Sequence, residues 1–166
     1  MLNHSRSRWL SSHATLKFGR LLVVGLPIGN IGDISLRAAQ VLSKAELIFA
    51  EDTRVTRAML AKVYRAFGLE RRDSTRVLRC DEHTFTKASK QCIDWMRAGR
   101  TACLVSDAGT PAISDPGGAV VRAVIADGHA VSPIPGASAV IAAMSIAGDA
   151  RAPREGFQFS GFVPRK

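Results

Sequence analysis

The stretch LLVVGLPIGNIGDISLRAAQVLSKA, residues 21–45, sets out a strand, a loop and a helix in one line. Leu21–Gly25 is a continuous apolar run of strand length, and Gly25 and Pro27 end it. After the loop PIGNIGD, residues 34–45 carry apolar side chains at helical spacing, with Asp33 or Ser35 available to cap the first turn. The same rhythm continues outward. Strands are expected at 47–50, 76–80, 101–106 and 130–134, and helices at 56–67, 84–98 and 118–127, with a small-residue helix ending at Gly148. Short apolar strands alternating with helices predict an α/β fold, a doubly wound and mostly parallel sheet with helices on both faces. FQFSGFVPRK, residues 157–166, reads as one further strand leading out of the domain.

Composition narrows the function classes. The 166 residues are 46% hydrophobic and 22% charged, the balance of a globular chain rather than a disordered one. The longest apolar stretch, Ala137–Ala147, contains Ser138 and Ser145 and is too short to cross a bilayer. Cys80, Cys92 and Cys103 form no CxxC and no zinc spacing, so reduced, packed thiols are expected and no metal site is. Net charge is +9 and unevenly placed. Residues 54–100 carry +7, whereas the glycine-bearing stretches on either side, 21–53 and 101–150, are mildly acidic. A localised basic band is the footprint of a polyanion binder, because each neutralised phosphate releases condensed counterions. A set of solvated helix faces would give the same count. Residues 1–20 hold four basic and no acidic residues and are rich in serine, which suits a transit peptide or an untargeted leader.

In an open α/β sheet, ligands bind outside the carboxyl ends of the strands. Four segments fall at such ends: PIGN (27–30), EDTR (51–54), SDAGTP (106–111) with SDPG (114–117), and PGAS (135–138). Glycines there let backbone N–H groups approach a ligand, and Asp, Ser and Thr can bond hydroxyls or amines. The first loop is neither a P-loop nor a GxGxxG fingerprint. Glu51 and Asp52 nonetheless end the second strand 22 residues after Gly29, where nucleotide-binding sheets place an acid for ribose hydroxyls. No Ser-His-Asp set is legible. His83 is expected to cap a helix or lie at the surface, His129 to sit in a turn, and Trp95 to pack in the core or an interface.

Taken in order, LLVVGLPIGNIGDISLRA, IFAEDTR, CLVSDAGTPAISDPG, PIPGASAVIAAMSIAG and FSGFVPRK resemble the ribosomal RNA small subunit methyltransferase I family, within the tetrapyrrole-methylase-like superfamily. The resemblance runs from about Leu21 to Lys166. It implies S-adenosyl-L-methionine-dependent 2′-O-methylation of a cytidine ribose in small-subunit rRNA. It also implies a cofactor cleft between two α/β domains, a homodimer, and a cytoplasmic location, or an organelle if residues 1–20 are a transit peptide. The partner would be rRNA or the assembled small subunit, with no membrane involved. Carried over by motif, Asn30, Glu51 and Arg54 are the candidate catalytic residues. Pro27, Ile28, Gly29, Ser106, Asp107, Ala108, Gly109, Thr110, Pro135, Gly136, Ala137 and Ser138 are the candidate cofactor residues.

The resemblance departs in two places. Leu26 stands where the family usually has Thr. Family members also continue past the segment matching FSGFVPRK into a second domain, so residues 21–160 are expected to be the first domain and 161–166 the start of a linker. An isolated first domain is expected to bind cofactor weakly and to be incomplete as an enzyme. The alternatives are a methyltransferase of the same superfamily acting on a tetrapyrrole-type small molecule, and a non-catalytic fragment that binds RNA or dimerises.

Overall fold

A five-stranded parallel sheet in the order β3-β2-β4-β1-β5 organises the chain. The computed structural model describes residues 19–148 and 156–162. Its strands are β1 (Arg20–Val24), β2 (Leu47–Ala50), β3 (Arg76–Arg79), β4 (Ala102–Val105) and β5 (Ala130–Ile134). The helices are α1 (Leu36–Lys44), α2 (Thr53–Phe67), α3 (Phe85–Arg97), α4 (Gly117–Ala126) and α5 (Ala139–Ile146). All four ladders are parallel; β1, for example, sets Leu21 beside Ala102 of β4 and beside Val131 of β5. Pro133 sits within β5, a position tolerated because β5 is an edge strand.

The sheet is covered on both faces, as its uninterrupted apolar strands require. On one face α1 and α2 bury Ala38, Ala39, Leu42, Leu60 and Val63 against Val24, Ile48 and Val105. On the other, α3 and α4 bury Cys92, Met96, Val120 and Val124 against Leu21, Phe49 and Leu104. Each fully buried Leu, Val or Phe contributes about 1.5–3 kcal/mol of apolar transfer.

The winding reverses once. β1 and β2 connect through α1 and α2 toward the β3 edge, whereas β3 and β4 connect through α3 and α4 toward the β5 edge. Neighbouring strands β2 and β4 therefore send their chains in opposite directions over opposite faces, which opens a crevice between their carboxyl ends.

Several boundaries differ from the sequence reading. Helix α2 starts at Thr53, three residues early, because the Asp52 side chain accepts from the N–H groups of Arg54 (2.7 Å) and Val55 (3.4 Å). The expected leader ends sooner: Arg20 is the first residue of β1, paired with Ala130, and residues 1–18 lie outside the described part. Residues 156–162 form no strand, and Phe157, Phe159 and Phe162 are exposed. An apolar run becomes a strand only where it pairs with a sheet edge, and among the described residues nothing adds to either edge, β3 or β5. The rest of that expected strand, 163–166, lies outside the described residues. Helix α5 is apolar except for Ser145, yet none of its residues is buried.

Candidate functional site at the carboxyl edge of the sheet

Each loop of the carboxyl edge is fixed by its own short-range chemistry. Asn30 caps the 3₁₀ turn Ile31–Asp33, its side-chain oxygen accepting from Gly32 N–H at 2.9 Å. Asp52 caps α2 and pairs with the exposed Arg54 guanidinium at 3.2 Å. The Ser106 hydroxyl, buried, donates to the Ala108 carbonyl at 3.0 Å and so folds SDAG back on itself. Asp115 accepts from the N–H groups of Ala112 (2.8 Å) and Gly117 (2.9 Å). This holds Ala112 at φ 67°, a left-handed backbone unusual for a residue other than glycine. Ser138 caps α5, accepting from Ile141 N–H at 3.5 Å.

The loops are also tied to one another. Leu26 N–H donates to the Gly109 carbonyl at 2.8 Å, and Gly25 N–H to the Ile134 carbonyl at 3.1 Å. The Thr110 hydroxyl donates to the Ala137 carbonyl at 3.2 Å. Asp52 N–H donates to Asp107 Oδ1 at 3.0 Å, across the β2/β4 crevice. Gly25 and Gly136 pack backbone on backbone: a Cβ on Gly136 would lie 2.8 Å from Gly25 C and O. The four segments therefore form one rim. SDAGTP and PGAS are linked directly, PIGN joins through the adjoining Leu26, and EDTR joins through Asp107.

Beside this rim lies a cavity of about 550 Å³ lined by Ile28, Asp33, Gly136, Ala137, Ser138 and Ile141, among others. Ile28, Gly136, Ala137 and Ser138 line it, while Pro27 and Gly109 are buried beneath the rim. Gly29, Asn30, Ala108, Pro135 and Arg54 are exposed. Asp33 and the α5 side chains on the cavity wall were not among the expected site residues. The signal available was Ser138 as a helix cap, which places the next turn of helix beside the loop.

Leu26 does not face this space. Its side chain is 1% exposed and belongs to the core under α1, so its difference from the usual threonine is a change in packing. His83 is exposed beside Glu82, as a surface residue. His129, expected in a turn, is buried with Nε2 3.1 Å from Asp127. Trp95 is half-buried and not near the rim.

Electrostatics at the crevice are acidic. Burial raises the Glu51 pKa first, and the negative charges of Asp107 and Asp115 raise it further; a backbone hydrogen bond from Asp107 works in the opposite direction. Asp52 is held at about 2 by the hydrogen bonds from Arg54. Glu51 is thus a stronger base than a free glutamate. Among the described residues no group of His, Cys, Asp and Glu could hold a metal ion.

A ligand with an apolar or aromatic body and hydroxyl and amine groups fits this rim. The Gly25–Gly136 contact keeps side chains off the cavity floor, and Ile28, Ala137 and Ile141 supply apolar wall. Asp107 Oδ2 accepts no hydrogen bond among the described residues and is left for a hydroxyl or amine. S-adenosylmethionine has that chemistry: a purine, ribose hydroxyls and an amino acid end.

Comparison with known proteins gives the same fold and narrows the family. Residues 20–151 match the family model of tetrapyrrole (corrin/porphyrin) methylases. The chain is 45% identical over 148 residues to ribosomal RNA small subunit methyltransferase I of Xylella fastidiosa, covering 89% of this chain and 50% of that protein. The Thermotoga maritima protein of the same name is 38% identical over 147 residues, 89% of this chain and 61% of that one. The chain thus spans about half the length of the curated relatives it matches. Among solved structures, uroporphyrin-III-C-methyltransferase from Thermus thermophilus superposes with a TM-score of 0.56 at 21% identity, over 76% of this chain and 50% of that one. A cobalt precorrin-4 methyltransferase gives 0.56 at 22%, over 76% and 49%.

Proposed function

This chain belongs to the tetrapyrrole (corrin/porphyrin) methylase family, and we propose that it is an S-adenosylmethionine-dependent methyltransferase that modifies the ribose 2′-hydroxyl of a cytidine in small-subunit rRNA. The observation that carries this reading is the joining of PIGN, EDTR, SDAGTP and PGAS into one rim at the switch point of the sheet. Its 45% identity to an rRNA small subunit methyltransferase I, over a span that includes that rim, supports the choice of RNA over a tetrapyrrole. The enzyme works in the cytoplasm as a homodimer, with rRNA or the assembled small subunit as substrate.

The cofactor's sulfonium supplies an activated methyl group, so the residues need only position the nucleophile and draw off its proton. Asp107 accepts a hydroxyl or amine of the cofactor through Oδ2, while Oδ1 stays on Asp52 N–H. Ile28, Gly136, Ala137 and Ser138 border the cofactor through backbone and small side chains. The raised Glu51 carboxylate accepts the 2′-hydroxyl proton, as general bases do when their pKa is moved toward the working pH. Arg54, 88% exposed, holds a neighbouring phosphate.

Tritiated S-adenosylmethionine incubated with the protein and unmodified small ribosomal subunits tests this directly. Radioactivity in 2′-O-methylcytidine after nuclease digestion is expected. Transfer to a porphyrinogen in preference to RNA overturns the assignment.

A further inference from the structure

The carboxyl rim offers a polyanion little beyond one phosphate contact, since Glu51, Asp52, Asp107 and Asp115 cluster there and its four motifs hold a single basic residue, Arg54. Basic charge collects at the opposite end of the sheet. A groove of about 610 Å³ at the amino ends of the strands is lined by Arg37, Lys44, Arg72 and Arg100. A second of about 270 Å³ is lined by Arg76, Trp95 and Arg100, with one acid, Asp94, turned to Arg97 at 3.9 Å. Arg100 belongs to both, so the two grooves meet at its side chain.

Two features separate this surface from ordinary solvated arginines. Among the described residues, no carboxylate pairs with Arg37, Lys44, Arg76 or Arg100; Glu46 in the first groove is taken by Arg72 at 2.6 Å. Arg54, Arg79 and Arg97 have acidic partners, while Lys62, Arg65 and Arg122 are, among the described residues, unpaired but scattered, so it is the gathering of unpaired cations along one concave run that marks this surface. The second feature is an aromatic plane. The Arg100 guanidinium lies 4.6 Å from the Trp95 ring centre, and the indole N–H donates to the Thr101 carbonyl at 3.2 Å, fixing the ring. A concave run of unpaired cations with a fixed aromatic is the composition of a single-strand nucleic-acid track.

We propose that these joined grooves bind the phosphodiester backbone of single-stranded RNA, at the end of the sheet remote from the methyl-transfer rim. The inference rests on the reading that the substrate is RNA. Strands of four or five residues rising ~3.3 Å each put the track roughly 15 Å from the rim. An extended single strand crosses that span in a few nucleotides. RNA gripped here is held several nucleotides from the ribose presented to Glu51.

The test compares the protein with a quadruple variant, Arg37→Ala, Lys44→Ala, Arg76→Ala and Arg100→Ala, all exposed and outside the rim. Affinity for a fluorescent single-stranded oligoribonucleotide is measured from 50 to 300 mM KCl, with tripolyphosphate titrated in parallel. The variant is expected to bind RNA more than tenfold more weakly at low salt, with a log–log salt slope smaller by about 3, near 0.7 per lost cation. Unchanged RNA affinity and slope overturn the proposal. So does loss of tripolyphosphate binding with RNA binding intact, which would make this a small-anion site. An independent readout is the fluorescence of Trp95 in a Trp9→Phe background: quenching on RNA addition supports the track, and no change at saturating RNA overturns it. None of these measurements uses cofactor or methyl transfer. The methylation assay can therefore fail while the groove binds RNA, and the reverse outcome is equally distinct.

Discussion

Asp52 and Asp107 are 55 residues apart in sequence, yet the backbone N–H of the first donates to Oδ1 of the second at 3.0 Å. That bond spans the crevice where β2 and β4 part, and it makes Asp107 a structural brace as well as a candidate ligand group. The two roles separate by substitution. Asp107→Asn keeps an oxygen acceptor for the Asp52 N–H, whereas Asp107→Ala does not. Urea unfolding should place the Ala variant about 1–2 kcal/mol below the parent and the Asn variant close to it. Both should lose cofactor affinity by calorimetry. An Ala variant as stable as the parent would remove the brace.

Close backbone packing of Gly25 on Gly136 makes a second prediction. Gly136→Ala puts a methyl 2.8 Å from backbone atoms that have no rotamer to escape through. A loss of about 1–3 kcal/mol is expected, as for overpacking in a core. Gly118→Ala, in α4 with its nearest neighbour at 3.6 Å, is the contrast. It should be neutral or stabilising by up to ~1 kcal/mol, because alanine suits a helix better. Thermal melts of the pair decide it; equal effects would refute the contact.

Acid should destabilise the β3–α3 corner in a defined window. Asp81 is held at about 2, first by the Thr84 hydroxyl at 2.6 Å and then by Arg79. A carboxylate lowered on folding stabilises the protein above its unfolded pKa, near 4, and loses that contribution as pH falls toward 2. Thr84→Ala should therefore be less stable at pH 7, with the gap to the parent narrowing between pH 4 and 2. Denaturation curves at pH 7, 4 and 2.5 measure it. A gap that does not change with pH would mean that Thr84 acts through packing alone.

The three cysteines should resist thiol reagents. Burial pushes Cys80 up to about 11, and Cys92 and Cys103 to about 12. At pH 8 almost no thiolate is present and the sulfurs are covered. Dithionitrobenzoate should label none of them over minutes in native buffer and all three in guanidinium. Rapid native labelling at any one would show that the segment carrying it opens easily.

Glu51 should set the acid limb of the methyl-transfer pH profile. Glu51→Gln is expected to lower kcat by about 10²–10⁴ and to abolish that limb. Asp115→Asn takes one negative charge away from Glu51, so its limb should move to lower pH while kcat at the plateau stays near the parent value. A limb unmoved by Asp115→Asn and still present in Glu51→Gln belongs to another group.

Much of the fold is local information. Apolar runs of four or five residues and helical spacing in 34–45 and 84–98 placed most elements within a few residues. Asp52 shows where local reading stops short: its capping signal was present in EDTR, but only the hydrogen bonds from Arg54 and Val55 show that the helix starts there. FQFSG shows the converse, since five residues of strand character pair with neither edge strand, β3 nor β5.

The sequence by itself determined which segments are strands, which are helices, and which loops carry Gly, Asp, Ser and Thr at strand ends, because period and turn chemistry act over a few residues. Only the tertiary structure decided the order β3-β2-β4-β1-β5, the bond between Asp52 and Asp107, and the burial of Leu26 away from the rim. It also assembled the basic groove, whose cations come from α1, the loop before β3, β3 itself and the turn before β4. These depend on which strand lies beside which. Strand pairing joins groups far apart in the chain, and no pattern within a few residues encodes the partner.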